Sequence, residues 1–205
     1  MGRNKANAGE QGDSVDEIIR KAVVFSSETQ QQVDGAGIQR TEINREGRRW
    51  NNPPPEVLKI NIDGAFCGKE KVGAWGFVIR DTDANGVLAG AGRLRAVHDA
   101  LAAEGEACLA ALQAAMEMGI SRIIIETDSS VLIKAIRTSD YDCGPGGVIF
   151  KEIRELLSLH FIHESIVYVP RSCNRCAHEL AHFGLSRDPD QPSIWADPLP
   201  SFVRT

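Results

Sequence analysis

Apolar and polar residues alternate through residues 57–66, and this two-residue period is typical of a strand with one buried face. Two further apolar runs, 73–81 and 87–97, lie on either side of an Asp-Ala-Asn-Gly turn and predict a hairpin. Later runs rich in β-branched residues, at 122–128 and 163–170, predict a fourth and a fifth strand. The pattern therefore indicates five strands, the first three of them consecutive.

Four helices are predicted from apolar residues at helical spacing and from capping residues. They cover residues 102–119, 129–137, 148–160 and 174–187. Three meandering strands followed by alternating helices and strands predict an α/β domain. We expect a five-stranded mixed sheet flanked by helices. Strands one to three are expected to be antiparallel, with strands four and five added in parallel and strand four beside strand one.

The two ends of the chain differ in composition from this patterned middle. Residues 1–49 are poor in apolar side chains and are expected to be disordered or weakly structured. Three consecutive prolines cannot enter a helix or an interior strand, so they predict a stiff, extended lead-in. The predicted segments are a tail (1–49), a Pro-rich lead-in (50–56), the α/β domain (57–187) and a Pro-rich C-terminal tail (188–205) anchored by Trp195 and Phe202.

Net charge and cysteine content exclude several classes of protein. The formal charge is −5 and the first 50 residues are balanced, with eight basic and eight acidic side chains, so no polybasic field indicates nucleic acid or anionic lipid. The five cysteines are odd in number and no secretory signal precedes them, which predicts reduced thiols in a cytoplasmic or nuclear protein. No apolar run approaches the roughly 20 residues of a membrane span, and we expect a monomer without a membrane partner.

A carboxylate in a strand that is otherwise suited to burial needs an explanation. Asp63 ends the first predicted strand, Asp128 follows the fourth, and Glu104 lies in the first turn of the first long helix. A buried carboxylate is costly unless a cation or hydrogen bonds compensate it, and sites in α/β sheets collect at the carboxyl ends of strands. If the two strands pair in parallel, the three acids converge as hard oxygen donors for Mg²⁺. The alternative is that each acid is ordinary, Glu104 as a solvated helix residue and Asp128 as a helix cap.

Four segments of the chain resemble, in order and spacing, the four signature blocks of the ribonuclease H family. They are NIDGAF, AAEGEACLAAL, IIIETDSS and NRCAHELA. The resemblance runs from about Trp50 to Leu185 and is strongest to the type 1-like domains of plant genomes and of retroelement-derived genes. It implies the fold expected above and an endonuclease that hydrolyses the RNA strand of an RNA–DNA hybrid. It also implies two Mg²⁺ ions as cofactors, with Mn²⁺ as a substitute.

The resemblance assigns roles to the three acids. Asp63, Glu104 and Asp128 match the catalytic, metal-binding carboxylates of the family. Glu106 is a rival for the helix position. Glu104 is preferred because Ala107 follows it by three residues, as the family motif requires.

The fourth position of the site departs from the common family pattern. Many members carry an aspartate four residues after the asparagine of the last block, and here Asn174 is followed at that distance by His178. We expect His178 to be catalytic and to bind metal, although a histidine nitrogen suits Mn²⁺ better than Mg²⁺. The mobile histidine that precedes the last helix in some relatives has no match, and Arg171 stands in that region instead.

Two other interpretations of these residues stay open. The low basic content and His178 favour a domesticated nucleic-acid-binding or interaction module that keeps the fold with little turnover, whereas the intact acidic triad favours the enzyme. A zinc site is a weaker alternative, because structural zinc sites draw paired ligands from two separated segments. The candidate zinc ligands fall within ten residues, mostly on one predicted helix, and are Cys173, Cys176, His178 and His182.

Overall fold

Six strands form one sheet in the part of the chain that the structure describes. The computed structural model describes residues 50–196 together with Leu199 and Val203. The strands are β1 (Leu58–Cys67), β2 (Val72–Arg80), β3 (Gly86–Leu94), β4 (Arg122–Thr127), β5 (His163–Tyr168) and β6 (Ser193–Ala196). The helices are α1 (Ala100–Glu117), α2 (Ser130–Arg137), α3 (Gly147–His160) and α4 (Arg171–Gly184). The predictions for residues 1–49 and for Phe202 lie outside the described residues.

Strand pairing follows the predicted topology. The order across the sheet is β5-β4-β1-β2-β3-β6. β1, β2 and β3 are antiparallel neighbours, β4 runs parallel to β1, and β5 runs parallel to β4. Helices pack against this sheet, so the predicted α/β architecture is confirmed. None of the described helices is both long enough and apolar enough to cross a membrane.

The predicted number of strands is corrected from five to six. β6 pairs antiparallel with β3 and extends the sheet beyond the hairpin. Its four residues, Ser-Ile-Trp-Ala, lie in the segment predicted to be a Pro-rich tail, and they do not alternate between polar and apolar. Trp195 on β6 packs against Phe183 of α4 with ring centroids 5.8 Å apart, which agrees with the anchoring predicted for it.

β1 is buried on both of its faces, not on one. Ile60 and Ile62 belong to a core that α1, α2 and α3 complete. The alternate residues Asn61 and Asp63 contact α4 on the opposite face and, like Lys59, are buried. The polar half of the predicted alternation therefore marks a second interior and not a solvent-facing surface.

The two edge strands of the sheet are β5 and β6, and they differ in length and in side-chain contacts. β6 forms the edge beyond β3, and β5 forms the other edge with six residues. Arg137, at the end of α2, donates from Nη2 to the carbonyl oxygen of Ile166 on β5 at 2.7 Å. The side chains of Val167 and Tyr168 on the same strand are exposed. A helix side chain thus occupies one backbone acceptor of this edge strand.

Gly64 allows α1 to lie directly on β1. A Cβ at this position would stand 2.4 Å from the carbonyl carbon of Ala103 and 2.4 Å from the backbone nitrogen of Glu104. Contacts with backbone atoms cannot be relieved by turning a side chain, so a larger residue would displace the helix. Gly64 therefore sets the distance between α1 and the strand.

We expect Gly64→Ala to destabilise the domain by about 1–3 kcal/mol, because the added methyl group overpacks the contact between β1 and the α1 backbone. Thermal unfolding followed by circular dichroism measures the loss. Gly68→Ala is the matched control, since a Cβ there would lie 3.4 Å from its nearest neighbour, the Phe66 ring. Equal melting temperatures for the two variants would contradict the close packing of α1 on β1.

Candidate active site

A notch opens in the sheet where β4 ends and β1 continues. β4 pairs with β1 along Leu58–Asn61 and ends at Thr127, whereas β1 runs on to Cys67. Asp63, two residues beyond the last residue of β1 that pairs with β4, and Asp128, directly after β4, both lie at this gap. Because parallel strands leave their carboxyl ends at the same edge of a sheet, side chains from both strands can line one cleft there.

The three predicted acids meet in this notch. One carboxylate oxygen from each of Asp63, Glu104 and Asp128 lies within 4.8 Å of the other two. Among the residues that the structure describes, no other group of three or more histidine, cysteine or acidic side chains lies close enough to share a metal ion. These acids line an open cleft of about 460 Å³. The predicted convergence is confirmed, and Glu104, not Glu106, is the helix residue that takes part.

Glu104 reaches the notch from the opposite face of the sheet to Asp63, because α1 lies close on Gly64. The backbone N–H of Gly64 opposes the rise in the pKa of the Glu104 carboxyl, but burial outweighs it. Oε2 of Glu104 is buried and has no hydrogen-bond partner within the described part of the chain. A buried oxygen without a donor is costly, and three converging carboxylates are the ligand set of a divalent cation. The residues present therefore fit a metal ion.

Burial and mutual repulsion raise the affinity of this cluster for protons. Burial, followed by the charges of Asp63 and Asp128, raises the pKa of Glu104 to about 9. Burial also raises the pKa of Asp63, an effect that the hydrogen bond with His178 opposes and the charge of Asp128 strengthens. Carboxylates this close cannot all ionise unless positive charge compensates them. The cleft therefore holds either protons or cations.

His178 contacts Asp63 from α4 and does not join the three acids. Its Nδ1 lies 2.8 Å from Oδ2 of Asp63, and Nη2 of Arg171 lies 2.9 Å from Nδ1 and 2.8 Å from Nε2 of the same ring. The neutral tautomer with Nδ1–H satisfies both neighbouring side chains, because Nδ1 then donates to the carboxylate and Nε2 accepts from the guanidinium. Both ring nitrogens are engaged in this arrangement. The role of His178 as a fourth metal ligand stays a prediction.

The cysteines and histidines of α4 do not converge on a metal site. Cys176 donates from Sγ to the carbonyl oxygen of Val203 at 3.5 Å, and the rings of His178 and His182 meet edge to face with centroids 4.3 Å apart. Burial lowers the pKa of His182 to about 4, and the charges of His178 and Arg171 add to the effect. Within the described residues the zinc alternative is therefore unsupported. His182 lines the cleft as an uncharged side chain.

Sequence reasoning missed the residues that hold Asp128. Asn174 on α4 donates from Nδ2 to Oδ1 of Asp128 at 3.1 Å and to the carbonyl oxygen of Ile62 at 2.8 Å. Asn61 and Glu126 lie behind it in the same buried hydrogen-bond network. A signal was present, since both are polar residues inside runs that otherwise predict buried strands.

A family model described as reverse transcriptase-like matches residues 61–184, more than half of the chain. The matched range contains the three acids and His178. A search of curated proteins finds no significant match.

Solved ribonuclease H structures resemble this domain. RNase H1 from the halophilic archaeon Halobacterium salinarum NRC-1 is 30% identical, with 63% of this chain and 97% of that chain covered and a TM-score of 0.57. The N-terminal RNase H domain of a Mycobacterium tuberculosis protein is 21% identical, with 63% and 93% covered and a TM-score of 0.56. LC11-RNase H1, isolated from compost, was solved with an RNA/DNA hybrid and is 20% identical, with 62% and 96% covered and a TM-score of 0.57. The last two similarities support the fold alone.

Glu104→Gln should stabilise the metal-free protein near pH 8. A folded pKa of about 9, against an ordinary value of 4.5, means that the folded state binds more protons than the unfolded state between these pH values. Stability is therefore highest at the acidic end of this window and falls as the pH rises toward 9. Glutamine removes this dependence, and each kcal/mol recovered raises the melting temperature by roughly 2–4 °C. Melting curves in EDTA at pH 5 and pH 8 measure the effect.

Glu117→Gln is the control for this measurement, because Glu117 is exposed at the end of the same helix. It should keep the pH dependence of the wild type. A wild-type melting temperature that does not fall between pH 5 and pH 8 in EDTA would contradict the crowding of buried carboxylates.

Proposed function

The chain belongs to the ribonuclease H family of enzymes, and we propose that it is an endonuclease that hydrolyses the RNA strand of RNA–DNA hybrids with divalent metal ions. One observation carries the proposal: Asp63, Glu104 and Asp128 bring carboxylate oxygens within 4.8 Å of one another in an open cleft. The reverse transcriptase-like match includes all three residues. The 30% identical RNase H1 from Halobacterium salinarum NRC-1, matched over 97% of its length, supports the same class of activity here.

The proposed cofactors are two Mg²⁺ ions, with Mn²⁺ as a substitute. Asp63, Glu104 and Asp128 would hold them, with His178 at the fourth position. The unpartnered Oε2 of Glu104 and the raised pKa of that carboxyl both favour a bound cation. When bound, the ions would activate the attacking water and stabilise the leaving 3′-oxygen of the RNA strand.

Side chains of α4 orient the two aspartates in advance. His178 contacts Asp63, and Asn174 donates to Asp128. These contacts limit the rotation of both carboxylates without cancelling the charge of the cluster. Preorganised ligands reduce the reorganisation needed when metal and substrate bind.

Arg171 gives the mouth of the cleft a permanent positive charge. Among the described residues that line the cleft, it is the one lysine or arginine. Proteins contact nucleic-acid phosphates mainly through such side chains, and these contacts position the strand without reading its sequence. A phosphate of the RNA strand would therefore contact this guanidinium beside the acids.

Asp63→Asn keeps the shape of the side chain but removes a charge and a metal ligand. Cleavage of a fluorescent RNA–DNA hybrid should fall by a factor of about 100 or more, because a bound metal supplies several kcal/mol of transition-state stabilisation. The assay is run with Mg²⁺ and then with Mn²⁺, and circular dichroism establishes that the variant is folded.

Glu106→Gln is the matched control for this assay. Glu106 lies two residues along α1 from Glu104, with its carboxylate near Glu152 of α3. This variant should cleave the hybrid at the wild-type rate. Hybrid cleavage that survives Asp63→Asn unchanged would overturn the assignment of the acids.

His178→Asp should raise Mg²⁺-supported cleavage relative to Mn²⁺-supported cleavage, because it supplies an oxygen donor at the fourth position.

One observation favours the second function, a module that binds hybrids without cleaving them: His178 already contacts Asp63, and Arg171 contacts His178. Hybrid binding is measured by gel shift in parallel. A wild type that binds hybrid but cleaves it with neither metal, together with a silent His178→Asp, would replace the enzyme by the binding module.

A further inference from the structure

A series of hydrogen-bonded, buried polar side chains connects the protein interior to the acidic cluster. It consists of Glu126 on β4, Asn61 on β1 and Asn174 on α4, which we name the amide relay. These residues are 3%, 1% and 1% exposed. The relay ends at Asp128, where Nδ2 of Asn174 donates to Oδ1 at 3.1 Å.

Three donors hold the Glu126 carboxylate. Nε1 of Trp50 and Nδ2 of Asn61 donate to Oε2 at 2.7 and 2.9 Å, and Nζ of Lys59 lies 2.7 Å from Oε1. Lys59 also lies over the Trp50 ring, with Nζ 5.1 Å from its centroid. A buried ion pair generally adds little net stability over apolar residues of the same volume. Stability alone therefore gives weak reason for a glutamate at this position.

The negative charge of Glu126 fixes the direction in which both amides face. Asn61 turns its NH₂ group toward Glu126, and the same group also donates to Oδ1 of Asn174 at 3.2 Å. Nη1 of Arg80 donates to Oδ1 of Asn61 at 3.3 Å and so opposes the reversed amide. With its oxygen facing Asn61, Asn174 directs its own NH₂ group toward Asp128 and toward the carbonyl oxygen of Ile62, which supports the same orientation.

We propose that the amide relay positions Asp128: the buried charge of Glu126 sets the orientation of Asn61 and Asn174, and Asn174 then holds the Asp128 carboxylate through Oδ1. The metal-binding part of this proposal rests on the proposed function, because it takes Asp128 to be a metal ligand. Loss of such a supporting hydrogen bond typically lowers metal affinity or activity by about 10–100-fold. Glu126 is thus a positioning residue that acts through the two asparagines.

The first test needs no metal. Side-chain amide signals of Asn61 and Asn174 are compared by ¹⁵N NMR in the wild type and in Glu126→Gln, which keeps the shape but removes one acceptor oxygen. With glutamine present, either Trp50 and Asn61 lose their acceptor, or Lys59 loses the carboxylate and keeps the carbonyl oxygen of Asn51 as its acceptor. The relay then has no single orientation, and the Asn174 signals should shift or broaden although Asn61 stands between the two residues.

The side-chain amide of Asn52 is the internal control for this spectrum. It donates to the carbonyl oxygen of Thr82 at 2.7 Å, outside the relay, and its signals should not move. Asn174 signals that are identical in the two proteins would overturn the relay. This readout is independent of metal binding, so it decides the relay even if the proposed function fails.

The second test measures Mn²⁺ binding to the free protein by electron paramagnetic resonance. Asn174→Ala should weaken binding by about tenfold or more, and Asn61→Ala and Glu126→Gln should weaken it by smaller factors. Asn61→Ala changes no charge, so it separates amide orientation from the field of Glu126. Asp142→Asn is the control for a loss of stability alone. It removes the part-buried ion pair between Asp142, in the loop before α3, and Arg154 on α3.

Each outcome of this measurement decides one point. Wild-type Mn²⁺ affinity in folded Asn174→Ala would overturn the relay. Weakened binding in Glu126→Gln with wild-type binding in Asn61→Ala would assign the effect to charge and would also overturn it. Unchanged Mn²⁺ binding in Asp63→Asn would count against the proposed function and not against the relay. If the alanine variants do not fold, the Asn174 amide signals in the near-isosteric Glu126→Gln variant decide whether the amide relay exists.

Discussion

The domain depends on one constraint, which is that three carboxyl groups are held together at a partly buried site. An isolated carboxylate in such surroundings is costly, and neighbouring carboxylates increase the cost. Two side chains of α4 compensate part of this cost, because His178 contacts Asp63 and Asn174 donates to Asp128. These donors compensate only part of the negative charge. The remaining charge destabilises the metal-free protein, and for the same reason it favours the binding of a divalent cation.

Two glycines on neighbouring strands let the supporting helices approach the sheet from opposite sides. Gly64 admits α1, which carries one acid, and Gly76 on β2 admits α4, where a Cβ would stand 2.2 Å from the backbone nitrogen of Ala181. α4 uses one side for the core, through Leu180 and Phe183, and another side for the donors to the aspartates. The geometry of the acids is therefore fixed by backbone contacts, which tolerate less adjustment than contacts between side chains.

Much of the fold and the positions of the acids could be predicted, because strand alternation, element order and signature spacing are local properties of a sequence. The supporting contacts are not local. Asn61 contacts Glu126 across 65 residues of sequence and Asn174 across 113, so no short-range pattern encodes these pairings. His178 meets Asp63 across 115 residues, and its engaged ring nitrogens could not be foreseen from the fourth-position motif. β6 was missed because four residues pair only when β3 already offers an edge.

The two edges of the sheet also bear on aggregation. An edge strand presents unpaired backbone groups that can template pairing with another chain, and long, flat edges are the most hazardous. β6 has four residues and β5 has six, and Arg137 occupies the carbonyl oxygen of Ile166 on β5. A second copy could extend only a short edge on either side of the described sheet. The short edge strands of the described domain therefore disfavour edge-to-edge polymerisation. The net charge of the whole chain, −5, adds only a modest electrostatic repulsion between copies.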